Sequence, residues 1–195
     1  MKQSDLEDFL KPLNASIADR QRGKKFIEQN PDYFEALLFL ALNPKAERVH
    51  IVASWVLEQV LFENISRLKT HWTYFLKQLS KIENESMRRP LSKILFAYVK
   101  NNELRIQLSK REEERIIELC FDWIIAPAQT ATLAFALKTL TYYIHTHDWI
   151  REALEDLIQK GFGKDRIGIQ STIKRLLTNQ FHKYFTSIYL CDLKI

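Results

Sequence analysis

His145-Thr146-His147-Asp148 is the first place in this chain to look for metal or acid–base chemistry. On a helix, residues two apart point about 200° away from each other, so His145 and His147 cannot share an ion; useful ligands sit three or four apart. The run reads instead as a polar turn that ends one helix and caps the next. No Cys pair, His-Glu-x-x-His motif or dense Asp/Glu cluster offers a ligand set elsewhere. Four glycines leave no room for a phosphate-cradling loop, and no Gly-x-Ser-x-Gly elbow occurs. The expectation is a protein without catalytic residues, bound metal or cofactor.

Two other kinds of residue carry potential chemistry. Basic residues gather near the starts of several helices: Arg48 and His50, then Arg88, Arg89 and Lys93, then Lys164, Arg166 and Lys174. Glu47, Glu85 and Asp165 stand beside them as partial neutralisers, and Gln129 and Thr130 fill the equivalent place in between. A further basic cluster, Arg20-Gln21-Arg22-Gly23-Lys24-Lys25, lies on a helix whose apolar face is Ile17, Phe26 and Ile27, and reads as a solvated helix face. Among the aromatics, Trp123 follows Leu119 and Cys120 at helical spacing, the pattern of a core residue. Trp55, inside a run of Val and Leu, is also expected in the core. Arg151 lies close to Trp149 and Asp148 in sequence, and Asp122 beside Trp123.

The elements that must position these residues are helices almost from end to end. Asn14 is expected to open a helix running to Asn30. Asn30-Pro31 and Asn43-Pro44 are capping residues followed by proline at the first helical position, and each is expected to start another. Tyr33, Phe34, Leu37, Leu38 and Ala41 form the face of the second helix; Val49, Val52, Ala53, Val56, Leu57 and Val60 form that of the third. Further helices are expected at 64–80, 84–102, 109–126, 127–147, 148–160 and 165–190. Asp148 fits an N-cap, and Gly161 and Gly163 suit the break that follows. Connections are short, so neighbours should pair as antiparallel hairpins.

The second helices of these hairpins resemble one another. Val49 to Leu57, Met87 to Leu95 and Gln129 to Leu137 share one frame, and Gly168 to Leu176 follows it more loosely. Their last leucines, Leu57, Leu95, Leu137 and Leu176, recur at a period of about 40, with two helices per unit. A small residue (Ala53, Ser92, Ala134) allows the paired helix to approach. The chain thus resembles the HEAT/armadillo-like α-solenoid repeat family over residues 14–180, about five units. The resemblance implies an all-α fold, a right-handed α-α superhelix of HEAT-like hairpins, formed by 1–195 as a single domain with 181–195 as a C-terminal cap helix or tail. A compact, non-repetitive helical bundle is the rival arrangement.

In such solenoids the second helices line the concave surface. The resemblance therefore implies a binding stripe of Arg48, His50, Arg88, Arg89, Lys93 and Arg166, unless these bases form ion pairs between repeats. Gripping an extended protein partner is the function it suggests first. The alternative is a nucleic-acid-binding protein resembling the HEAT-like alkylated-DNA base glycosylases, which combine tryptophans, an aspartate and an arginine in a helical groove; no stretch here matches them residue by residue. The chain is not similar to the adenylosuccinate lyases, because their serine-rich signature loop does not occur. Trp55, Leu57, Leu95, Trp123, Leu137 and Leu176 are expected at the seams between helices.

Composition agrees with this class. The 195 residues include 46% apolar and 27% charged, but only 4 Gly and 5 Pro, against about 23 expected from average usage. Sandwiches, barrels and Rossmann-type folds need more turn residues than that. The net charge is +5, and the first hundred residues hold 16 basic and 12 acidic side chains, a mild bias compatible with a polyanion but insufficient to argue one. Cys120 and Cys191 lie far apart in apolar surroundings and read as free thiols. The polar start, MKQSDLEDFL, and the lack of any long apolar run predict a cytoplasmic protein that does not enter a membrane. Phe181, Tyr184, Phe185, Ile188 and Tyr189 form an amphipathic stripe, expected to pack back on the last hairpin or to pair two copies, making the protein a monomer or a homodimer.

Overall fold

In a computed structural model, residues 2–126, 129–166 and 168–173 are described, and 76% of them are helical, with no strand among them. The all-α expectation holds. The α-helices are α1 (Lys2–Leu10), α2 (Ile17–Gln29), α3 (Phe34–Ala41), α4 (Arg48–Glu63), α5 (Trp72–Leu79), α6 (Glu85–Lys100), α7 (Asn102–Arg105), α8 (Lys110–Ile125), α9 (Thr130–Leu140) and α10 (Asp148–Gln159). Tighter 3-10 turns cover Pro31–Tyr33 and Ile65–His71, and 168–173 is again helical. The chain divides into two units, 1–119 and 120 onward, the boundary falling inside α8. Leu176, Lys174 and the stripe 181–189 lie outside the described residues.

Side-chain caps set several of the helix starts, and they move some expected boundaries. Asn14 does not open α2. Ser16 does, its Oγ accepting from the Asp19 N–H at 3.1 Å, while Asn14 Oδ1 accepts from Ser16 N and Asp19 Oδ2 accepts from Asn14 N. Asn30-Pro31 does begin a helical segment, but its first turn is 3-10. Asn43-Pro44 begins none: Asn43 Oδ1 accepts from Lys45 N in a local turn, and α4 starts only after Glu47. Asn64, Asn84 and Asn101 each accept a backbone N–H two or three residues on. Asp148 is the first residue inside α10 rather than its cap, which is His147. The expected helix 127–147 is shorter and ends at Leu140. Thr139 and Thr141 donate their hydroxyls to the Phe135 and Lys138 carbonyls, a side-chain competition that weakens helices, and the β-branched and aromatic run after them has only modest helix propensity.

In the first unit α4 is the centre, packed against α2, α3 and α6. Its inner residues Val52, Ala53, Val56, Leu57, Val60 and Leu61 are almost fully buried. Gly23 on α2 is where the approach is tightest, because a Cβ there would stand 2.4 Å from Val56 Cγ2. Trp72 on α5 stacks on Tyr98 of α6 with ring centroids 3.8 Å apart, and burial with nearby Glu112 pushes the Tyr98 phenol up to about 12. Ser54, three residues before Leu57, takes the place that Ser92 holds before Leu95, so Ala53 is not the equivalent small residue. Both hydroxyls donate to the carbonyl three residues back.

The second unit has its own apolar set: Cys120, Trp123, Ile124, Leu133, Ala136, Leu137, Leu140, Ile144, Ile150, Leu154 and Ile169. The Cys120 thiol bonds Thr139, but full burial dominates and pushes its pKa strongly up, which makes it inert. α10 ends where Gly161 adopts φ 89°, with Phe162 N bonded to Leu157 O and Gly161 N to Ile158 O, a glycine C-cap. Leu57, Leu95, Trp123 and Leu137 are buried as expected. Trp55 is not; it is half-buried. Ala134 is likewise only half-buried.

Candidate functional site: a shared face of three adjacent helices

Trp55 leaves the core because of a proline on the neighbouring helix. Pro90 sits inside α6 and has no N–H, so the Ser86 carbonyl four residues earlier loses its helical donor. The Trp55 indole Nε1–H donates to that carbonyl at 3.2 Å. The bond holds the ring at the α4–α6 seam with part of its surface in solvent. From the other side, the Arg20 guanidinium of α2 lies over the ring, 5.5 Å from its centroid.

These contacts belong to a continuous face. On α6, Ser86, Arg89, Lys93, Phe96 and Lys100 follow one another at spacings of three and four, and all are exposed or half-buried. Arg48, Ile51, Trp55, Gln59 and Phe62 do the same on α4, and Ile17, Arg20, Lys24 and Glu28 on α2, with Gln21 beside Arg20. Gln21 Nε2 donates to Gln59 Oε1 at 3.2 Å and Lys24 Nζ to Glu63 at 2.7 Å, which joins α2 to α4. Lys93 Nζ meets Glu58 at 2.5 Å and lies 4.3 Å from the centre of the Phe62 ring, which joins α6 to α4. Phe62 is 45% exposed.

The electrostatics of the face are basic but interrupted. The three helices carry nine basic and five acidic residues, so cations dominate. The bond to Lys24 lowers the Glu63 carboxyl pKa, and the same bond raises that of the lysine, holding both charged. Glu58 is only 6% exposed, and its carboxylate is compensated by Lys93. Arg20 and Arg89 have no carboxylate partner among the described residues, and Arg20 Nε is buried without an acceptor.

The six basic residues expected to form a binding stripe divide accordingly. Arg48, Arg89 and Lys93 lie on this face, although Arg48 also donates to the Leu13 carbonyl at 3.2 Å. His50 is buried, and its Nδ1 accepts from the Glu47 N–H at 3.1 Å as half of the capping box that starts α4. Arg88 turns to its own helix end, bonding the Ile82 carbonyl at 2.6 Å and Glu85 at 3.0 Å. Arg166 is exposed in the second unit. Sequence reasoning placed Arg20 and Lys24 on a separate solvated surface and Trp55 in the core. The signal that relocates Trp55 is Pro90, whose missing N–H leaves the carbonyl of residue 86 to an outside donor.

In the second unit, Trp149 is 52% exposed and stacks on Phe121 with centroids 5.4 Å apart. His145 is exposed in the turn before α10, and no cluster of three potential metal ligands exists among the described residues. No helix among them is long and apolar enough to cross a membrane. Compared with known protein families, curated proteins and solved structures, the chain matches none of them.

Proposed function

We propose that this chain is a HEAT-like helical-repeat module that grips an extended protein partner and performs no catalysis. The binding surface in this reading is the concave side of a right-handed superhelix, and the face of α2, α4 and α6 is part of it. The observation that carries the reading is the regular interval of the contacts between helices. Gln21–Gln59, Lys24–Glu63, Arg48–Leu13, Trp55–Ser86, Glu58–Lys93 and Thr73–Glu112 join residues 31 to 39 apart. That interval lies close to the repeat of the leucines and is what stacked two-helix units produce. A tryptophan held rigidly at the centre of an arginine-bearing face is the usual anchor of a protein interface.

The test is affinity capture from the source cells with quantitative mass spectrometry, comparing wild type with Arg89→Glu and Trp55→Ala. A partner retained by wild type and by Lys77→Glu, on α5 outside the face, but lost by both face variants supports the reading. Equal recovery with every variant overturns it. The excess of nine basic over five acidic residues on the three helices favours a second reading, nucleic-acid binding. Duplex DNA affinity measured at two salt concentrations checks that reading, because phosphate contacts make affinity fall steeply with salt.

A further inference from the structure

Resting on the reading of α2, α4 and α6 as a binding face, we infer that the segment it takes is an extended acidic peptide, with carboxylates meeting Arg20 and Arg89 on either side of Trp55. Charge complementarity is the first argument. Lys24 is compensated by Glu63 and Glu28, and Lys93 by Glu58. The cations left without a carboxylate at the centre of the face are Arg20 and Arg89, one on each helix flanking α4. Arg89 follows Ser86, whose carbonyl holds the indole, by one helical turn. Arg20 adds a second observation, since its Nε–H is buried with no acceptor. A buried donor left unpaired is costly, and an incoming carboxylate is the ligand group that pairs with a guanidinium through two parallel bonds.

Apolar side chains of the same peptide have two places to rest. Trp55 keeps part of its ring in solvent, and Phe62 stands two turns further along α4 with nearly half its surface exposed. Arg20, Trp55, Phe62 and Arg89 lie on one face, so the carboxylates and apolar groups that meet them belong to every second residue of an extended peptide, whose side chains point to the same side about 6–7 Å apart. A nucleic-acid backbone fits less well. It carries a negative charge at every nucleotide and needs an unbroken row of cations, whereas Glu28, Glu58 and Glu63 interrupt this one. Base stacking needs an open aromatic face, and the Arg20 guanidinium already covers one face of Trp55.

The experiment uses the full chain and a fluorescein-labelled twelve-residue peptide in which every second residue is in turn Glu or an apolar Leu or Phe, with Ser between them. Its controls are the same peptide with Lys for Glu, a single-stranded oligothymidylate and a DNA duplex. Fluorescence anisotropy is expected to show binding of the acidic peptide, at least tenfold weaker binding of the three controls, and at least a tenfold loss with Arg89→Glu or Arg20→Ala. Lys77→Glu should bind as wild type. Circular dichroism checks that each variant is folded, and Arg89, being exposed, is the variant least able to disturb folding. Equal binding of the acidic and basic peptides, tighter binding of either nucleic acid, or an unchanged affinity in Arg89→Glu overturns the inference. If the captured partner is still lost with the face variants while the acidic peptide does not bind, the acidic specificity alone is wrong. If neither depends on the face, the binding surface itself is wrong.

Discussion

Trp55 and Pro90 show how one residue's missing donor decides another's exposure. Proline inside a helix normally costs about 3 kcal/mol, partly through the orphaned carbonyl. Here the indole N–H supplies the lost hydrogen bond to Ser86. In Pro90→Ala the new N–H competes for that carbonyl, so Trp55 should loosen: its contribution to the fluorescence, isolated by comparison with Trp55→Phe, should become more accessible to iodide quenching. An unchanged quenching constant would contradict the role given to Pro90. His50 offers a second residue-scale test. Burial lowers its pKa below the ordinary value, against the opposing pull of Glu47 and Glu7, with Lys45 assisting the burial. Below pH about 6.5 the unfolded chain takes up a proton that the folded chain refuses. Stability is therefore complete above that pH and falls as pH falls, until the folded pKa is reached. Thermal melts of wild type between pH 7 and 5 should decline more steeply than those of His50→Gln, and parallel curves would refute the assignment.

At the scale of elements, α2 and α4 meet where glycine is the only residue that fits. Gly23→Ala improves helix propensity by up to about 1 kcal/mol, yet it forces a Cβ to 2.4 Å from Val56. Val56 is fully buried and has no flexible end to move. Overpacking of this kind costs about 1–3 kcal/mol, so the net effect should be destabilising. Val56→Ala should largely rescue it, and chemical denaturation of the two single variants and the double variant measures that coupling. Leu57→Ala, by contrast, leaves a cavity and should cost about 2–5 kcal/mol wherever α2 sits. The helices themselves were legible from apolar spacing, and the glycine turn after α10 from Gly161. Starts were less legible. Asn14 and Asn43 have the same local chemistry as Asn84, yet Asn14 Oδ1 serves the turn ahead of the Ser16 cap and Asn43 Oδ1 the turn ahead of Glu47.

For the whole molecule, the division at 119/120 gives each unit a separate set of buried side chains. The first set runs from Leu6 to Leu119 and includes the side chains packed around α4. A fragment ending at 126, which keeps all of α8, should therefore retain cooperative unfolding and strong helical circular dichroism. A fragment that shows no unfolding transition would mean that the first core depends on the second unit. Since 76% of the described residues are helical, the full chain should give a helical signal far above the roughly one third of an average domain.

What the sequence determined by itself is what local physics controls: helical class from apolar periodicity and scarce glycine, a helix beginning near residue 84, and the burial of Leu57, Leu95, Trp123 and Leu137. What only the tertiary structure decided concerns groups whose partners lie 31 to 39 residues away. Trp55 is apolar enough for a core and was drawn to the surface by a carbonyl on another helix. Arg89 and Lys93, alike in sequence, separate into a free cation and a compensated one because Glu58 happens to stand opposite Lys93. His50 and Arg88, by contrast, were consumed locally, by helix-end groups three to six residues away. Periodicity tells which side of a helix is apolar; it carries no record of which polar group on a neighbouring helix arrives at hydrogen-bonding distance, and that distance is what turns a charged residue into a strut or leaves it for a partner.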